Sequence, residues 1–183
     1  MRQFNDIKQH QQTKSMQQDY GTLYVVATPI GNLRDISLRA LDILASVDCI
    51  AAEHIDLTRH LLSHHGIHTS LMTLHQHNEH LVAEKIANLL ASNQNIALVT
   101  DAGTPCISDP GAMLIHLLRS SGHRVVPIPG PNAAICALSA SGIRSNSFFF
   151  YGFLPVKSGE RKRCLTSLTT FPPCTLIFYE APH

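Results

Sequence analysis

The chain has 183 residues, of which 44% are apolar and 15% charged, and its formal net charge at pH 7 is +1. That length holds one generous domain, or one domain and the start of another, at roughly 150 residues per domain, and this apolar-to-charged balance excludes a disordered tail or a fibrous repeat. Near-neutral charge excludes a global attraction for nucleic acid, so any RNA contact has to come from a local basic patch or a partner subunit.

No run approaches the roughly 18 apolar residues of a membrane span, and the polar N-terminus lacks the apolar stretch of a signal peptide, so a cytoplasmic location is expected. Residues 1–20 carry Gln3, Gln9, Gln11, Gln12, Gln17 and Gln18 without apolar periodicity and are read as a disordered extension. From Leu23 onward, short apolar runs alternate with segments of helical period, the pattern of repeated βα units around a parallel sheet. Strands are predicted at 23–28, 49–53, 70–75, 95–100 and 124–129, and helices at 38–46, 56–65, 79–92, 110–121 and 131–138. The small, polar stretch 139–146 breaks this rhythm as a linker would. Beyond it a strand (148–154), a basic helix (159–169) and a strand (175–180) are predicted. One helix and two strands do not close a second core, so the sequence is expected to be C-terminally truncated. On its own it is expected to be inactive and prone to self-association along an unpaired strand edge.

Five cysteines, Cys49, Cys106, Cys136, Cys164 and Cys174, form no C-x-x-C pair; their odd, scattered count reads as reduced thiols used as small apolar fillers. Six of the ten prolines and four of the ten glycines fall in three loops, 28–33, 101–111 and 127–134, each at or just beyond the end of a predicted strand. In an open parallel sheet that is where ligands bind. Glycine permits φ > 0 and close approach of a ligand to the backbone, while proline fixes φ, so these read as rigid loops across which a ligand lies. Pro110 and Pro131 are suited to first helical turns whose free N–H groups receive an anion. There is no G-x-G-x-x-G after the first strand and no G-x-x-x-x-G-K-[ST], which disfavours ordinary dinucleotide and P-loop sites. The residues alone stop at a small anionic or zwitterionic ligand in the crevice.

Segments 26–33, 51–53, His75-x-His77-Asn78-Glu79, the whole of 101–111 and Pro127-Ile128-Pro129-Gly130-Pro131-x-Ala133-Ala134 carry a further signal in their order and spacing. In these the chain resembles the ribosomal RNA small subunit methyltransferase I family of the tetrapyrrole methylase superfamily. The resemblance implies an α/β tetrapyrrole methylase fold, with a five-stranded parallel sheet in the order 3-2-4-1-5 plus the start of a second, mixed α/β domain. It implies 21–142 as a domain that binds S-adenosylmethionine, 143–183 as linker and incomplete second domain, and a homodimer. The activity implied is 2'-O-methylation of a cytidine ribose in 16S rRNA of the small ribosomal subunit. The cofactor residues are then Pro29 and Gly31 in the first loop, Asp101, Ala102, Gly103, Thr104, Ile107, Ser108 and Asp109 in the second, and Pro129, Gly130 and Pro131 in the third. One departure stands out. After Ala51-Ala52-Glu53 the family usually continues Asp-Thr-Arg, whereas this chain reads His54-Ile55-Asp56, which bears on substrate binding more than on cofactor binding.

Methyl transfer from a sulfonium is an in-line displacement that orientation accelerates and a base assists. Glu53, His77, Glu79 and Asp101 are the catalytic candidates and Asp109 a further one, with Asp101 and Asp109 equally readable as loop caps. His75, His77 and His80 invite a metal reading, but no Cys or carboxylate completes a known spacing and methyl transfer requires no metal, so no metal is expected. His60, His64, His65 and His68 are read as a solvated helix end. Lys157, Arg161, Lys162 and Arg163 form the one basic cluster, placed to follow an RNA backbone or to make a solvated helix face. Phe148, Phe149, Phe150 and Phe153 read as core. The competing functional readings are a small-molecule (precorrin-type) tetrapyrrole methyltransferase on the same fold, and an inactive fragment that binds RNA or itself.

Overall fold

A computed structural model describes residues 20–181; the predicted extension, apart from Tyr20, lies outside them. The first sheet is built from β1 (Thr22–Val26), β2 (Cys49–Ala52), β3 (Leu71–Thr73), β4 (Ile96–Leu98) and β5 (Arg124–Ile128). All of its pairings are parallel and the spatial order is β3-β2-β4-β1-β5, as the resemblance implies. The crossovers carry α1 (Leu38–Ser46), α2 (Ile55–His64), α3 (Glu79–Ala91) and α4 (Ala112–Ser120), and α5 (Ala133–Ala140) follows β5.

Alternation along the strands divides the core into two layers. Ile50, Ala52, Ala97 and Val99 face α1 and α2, packing with Ala40, Leu44, Leu61 and Leu62. Ala51, Ile96 and Leu98 face the other way, against Val82, Ile86 and Leu90 of α3 and Leu114 and Leu118 of α4. Both faces of the central strands are therefore covered, which is why β2 and β4 read as continuous apolar runs. Gly21 sits where a Cβ would lie 1.8 Å from the Gln94 carbonyl oxygen, so the chain enters β1 against the turn before β4 with no room for a side chain.

Strand ends observed are shorter than predicted because the last residues of each run turn into the loops. Helix α4 begins at Ala112 rather than 110, since Gly111 at its N-cap has φ of 117°. Helix α5 begins at Ala133, with the Asn132 side chain capping Ile135 N–H. Pro110 and Pro131 thus precede the caps instead of occupying first helical turns. Ser37 caps α1 in the same manner through Ala40 N–H, and a short 3₁₀ turn at Leu33–Asp35, unforeseen in the sequence, is capped by Asn32.

After the linker, β6 (Phe148–Phe153), α6 (Ser158–Leu168) and β7 (Thr175–Tyr179) form a parallel pair joined by a helix. Its aromatic rings pack against one another, Phe149 tilted on Phe171 and Phe150 edge-on to Tyr179, with ring centroids 4.9 Å apart in each case. Phe148 and Phe153 are about half exposed, at 48% and 53%, so they are not the core residues expected. Cys136 is likewise exposed rather than a filler. Among the described residues no helix is long and apolar enough to cross a membrane.

Candidate functional site: a crevice of three loops

The order β4-β1-β5 sets the loops after these strands side by side, and hydrogen bonds lock them together. Thr28 N–H donates to Gly103 O at 2.9 Å and Gly103 N–H to Thr28 O at 3.1 Å, an antiparallel bridge between the first and second loops. The buried Thr28 hydroxyl adds a bond to Thr100 O at 3.0 Å. The second and third loops are tied by the Thr104 hydroxyl donating to Pro131 O at 2.9 Å. Gly130 closes the remaining side, where a Cβ would fall 2.8 Å from Ala27 Cβ. Three segments distant in sequence thus form one continuous rim.

Glycine and left-handed backbone shape the middle of that rim. Gly103 has φ of 89°, and a Cβ there would touch the Ile30 side chain at 3.5 Å. Cys106 and Ser108 also adopt positive φ, 68° and 69°, a conformation that costs a non-glycine residue about 1–2 kcal/mol and is held only by its surroundings. Part of that support comes from β6. A Cβ on the buried Gly152 would lie 2.9 Å from Ser108 Oγ, so the strand after the linker abuts the second loop. Sequence reasoning missed Gly152; an isolated glycine within an aromatic strand was the available signal.

At the end of the crevice toward β2, three carboxyls converge. Burial, reinforced by the Asp101 and Asp109 charges, pushes the Glu53 carboxyl above its ordinary range. Burial also raises Asp109, with Asp101 adding to it. Asp101 Oδ2 lies 2.6 Å from His54 Nδ1. The buried Thr100 hydroxyl makes no hydrogen bond of good geometry, yet stands near enough to Glu53 and Asp109 to hold both carboxyls down somewhat, a contact that is close but poorly aligned. Cys106, beneath this group, has its thiol pushed up to about 11 by burial and by the Glu79 and Asp109 charges.

The other catalytic candidates stand apart from this cluster. Glu79 Oε2 accepts from Met113 N–H at 3.0 Å and Leu114 N–H at 3.1 Å, capping the first turn of α4; its carboxylate meets the helix dipole there. His77 follows the edge strand β3 and is exposed, with its N–H bonded to His75 Nδ1. In the basic cluster, Arg161 donates to Pro155 O and Val156 O, pinning the turn before α6. Lys157 pairs with Glu160 at 3.4 Å. Lys162 and Arg163 remain exposed on α6. His60, His64 and His68 are exposed as expected, whereas His65 is partly buried with Nε2 unpartnered.

Comparison with known proteins agrees with this fold. Ribosomal RNA small subunit methyltransferase I of Xylella fastidiosa is 55% identical over 163 residues, covering 89% of this chain and 59% of the relative. The protein of the same name from Escherichia coli O157:H7 is 52% identical over 177 residues, covering 97% and 60%, and that of Bacillus subtilis 51% over 165 residues, covering 90% and 56%. The chain therefore spans somewhat under two thirds of the length of these relatives. Among solved structures, a uroporphyrin-III-C-methyltransferase from Thermus thermophilus superimposes with a TM-score of 0.59 over 84% of this chain and 73% of that one, at 21% identity, which speaks to the fold alone. The model of the tetrapyrrole (corrin/porphyrin) methylases matches residues 22–183, and with a crevice of this construction at the ends of β1, β4 and β5 the chain belongs to that family.

Proposed function

We propose that this chain carries the cofactor-binding part of an S-adenosylmethionine-dependent methyltransferase that modifies the 2'-oxygen of a cytidine ribose in 16S rRNA. The observation that carries the reading is the continuous rim of three loops bonded through Thr28, Gly103, Thr104 and Pro131. The relatives named as rRNA small subunit methyltransferases at 51–55% identity support the substrate class. The residues present fit the cofactor. Gly103, buried and at φ 89°, holds the second loop in a left-handed turn that Thr28 bonds on both sides, and the carboxylates of Asp101 and Asp109 beside it suit a ligand bearing positive charge.

In this reading Pro29, Gly31, Asp101 to Thr104, Ile107 to Asp109 and Pro129 to Pro131 hold the cofactor, which when bound supplies an electrophilic methyl group on a sulfonium. The protein's contribution is positional. The interlocked loops fix the ligand without reorganisation, so that much of the acceleration comes from orientation of the acceptor hydroxyl. Asp101 and Glu53, at the β2 end of the crevice, are the groups placed to accept the proton that the hydroxyl gives up; burial raises the Glu53 pKa, which makes that carboxylate the stronger base. Glu79 serves the scaffold through its helix cap. Within the basic cluster, Lys162 and Arg163 are exposed and placed to meet an RNA backbone. The reading carries with it a cytoplasmic homodimer acting on the small ribosomal subunit.

Tritium transfer from labelled S-adenosylmethionine to small ribosomal subunits tests this. Label in a ribose of 16S rRNA is expected; label entering a precorrin-type tetrapyrrole and not rRNA would overturn it.

A further inference from the structure

The convergence of Glu53, His54 and Asp101 has no role in holding the three loops, and the sequence gives no hint of it, since His54 and Asp101 are 47 residues apart. Register brings them together. β2 pairs with β4 as Cys49 with Ile96, Ile50 with Ala97 and Ala51 with Leu98; continued past the strand ends, this pairing sets Glu53 and His54 beside Thr100 and Asp101. Both strands are central and buried, so the side chains project from a rigid base.

We propose that Glu53, His54 and Asp101 form a binding site for a divalent transition-metal ion, taking one imidazole nitrogen and one oxygen from each carboxylate. One ligand atom from each of the three lies within 4.8 Å of the others. Bonds of roughly 2.0–2.2 Å to nitrogen and oxygen place neighbouring ligands about 3–4 Å apart. From that spread the widest separation closes by about 1 Å on binding, and the 2.6 Å contact of His54 with Asp101 opens slightly to admit the ion. Imidazole with carboxylates is a donor set for zinc, cobalt or manganese rather than for calcium or magnesium.

A second observation points to a ligand at the same place. Thr100 is 3% exposed, and its hydroxyl reaches the carboxyls of Glu53 and Asp109 in contacts too poorly aligned to satisfy it. A buried hydroxyl left unsatisfied is costly; a water bound to the ion would give it a partner. Charge argues the same way. Asp109 adds a third carboxyl beside Glu53 and Asp101, with His54 offsetting the charge at Glu53, and a dication in their midst relieves that repulsion. Half-open exposure, 64% for the His54 side chain and 30% for Asp101, leaves a path for entry and room for water ligands. The proposal does not rest on methyl transfer, and its test uses neither cofactor nor RNA.

The test is a Co²⁺ titration of the purified 183-residue chain, read by the visible d–d absorption of the bound ion and by calorimetry. Wild type is compared with His54→Ala, Asp101→Asn and, as control, His60→Ala on the exposed face of α2. One tight equivalent is expected in wild type and in His60→Ala. Its affinity is expected to fall at least about tenfold to 100-fold in both His54→Ala and Asp101→Asn, the range that even outer-sphere partners of a metal command. Absence of saturable binding in wild type, or undiminished affinity in either variant, overturns the proposal. His54 is exposed and outside the core, so His54→Ala remains decisive if circular dichroism shows Asp101→Asn to be unfolded.

Discussion

Gly130→Ala should loosen the crevice without touching any residue that bears charge. An ideal Cβ at Gly130 lies 2.8 Å from Ala27 Cβ, whereas carbon atoms rest at about 3.5–4.0 Å, so the third loop has to retreat from β1 by about 1 Å. Ala27 cannot yield, being 1% exposed at the end of a central strand. Nor can the loop absorb the shift, because Pro129 and Pro131 fix φ on both sides. The displacement therefore passes to Pro131 O, and from there to the Thr104 hydroxyl bonded to it at 2.9 Å. Overpacking of this kind costs about 1–3 kcal/mol. If about half of that is expressed as distortion of the loops proposed to hold the cofactor, S-adenosylmethionine binding weakens by about 0.5–1.5 kcal/mol, about twofold to tenfold. Calorimetry with S-adenosylmethionine and urea unfolding on the same preparations would measure both effects. Gly159→Ala is the control, since a Cβ there meets nothing within 4 Å and alanine favours the first turn of α6; it should leave affinity unchanged and stability equal or higher. Native affinity and native stability in Gly130→Ala would refute the claim that the third loop is braced against β1.

Four further outcomes follow from the same contacts. Gly21→Ala places a Cβ 1.8 Å from the Gln94 carbonyl oxygen, and urea denaturation should show a loss of about 3 kcal/mol or failure to fold. Glu79→Ala removes the acceptor of two N–H groups at the start of α4 and should cost about 1–2 kcal/mol, whereas His77→Ala should be neutral in the same assay; equal stability of the two would remove the cap. Glu53 and Asp109 have folded pKa values above their ordinary 4.5 and 3.8. In the window from those ordinary values up to the raised ones the folded chain therefore holds more protons, stability falls as pH rises through it, and the penalty persists at neutral pH. Glu53→Gln and Asp109→Asn, measured with chelator present, should thus raise the unfolding midpoint at pH 7 and lose that advantage below both ordinary values. Lys162→Glu with Arg163→Glu should weaken RNA binding and flatten its salt dependence by about one to two units of slope. Arg161→Ala should instead show its main loss in stability, because its guanidinium is spent on Pro155 and Val156 carbonyls.

Every strand and helix of the described residues was legible in the sequence except the 3₁₀ turn at Leu33–Asp35, because apolar runs and helical periods are set locally. Boundaries moved where loop geometry overrode the pattern. Proline at 110 suggests a helix start, but Gly111 in the left-handed region at φ 117° postpones it to Ala112. The three loops were visible as concentrations of glycine and proline. What joins them was not, since the Thr28–Gly103 bridge and the Thr104–Pro131 bond depend on a strand order that only the family resemblance supplied. The same limit hid the pairing of His54 with Asp101 and the use of Glu79 as a cap. Each depends on a partner at least 34 residues distant, where sequence spacing carries no information. The Phe148 and Phe153 side chains were read as core from composition, but a two-stranded sheet has too little surface to cover them.

The rim formed by the loops after β1, β4 and β5 is proposed to hold S-adenosylmethionine. Ultraviolet photolabelling of the chain with tritiated S-adenosylmethionine, followed by mapping of the labelled peptides, addresses it directly. Label is expected in peptides spanning 101–111 and 127–134, competed away by unlabelled S-adenosylhomocysteine. Competable label confined to α6 and β7, or to the α2–β3 edge of the sheet, would contradict it.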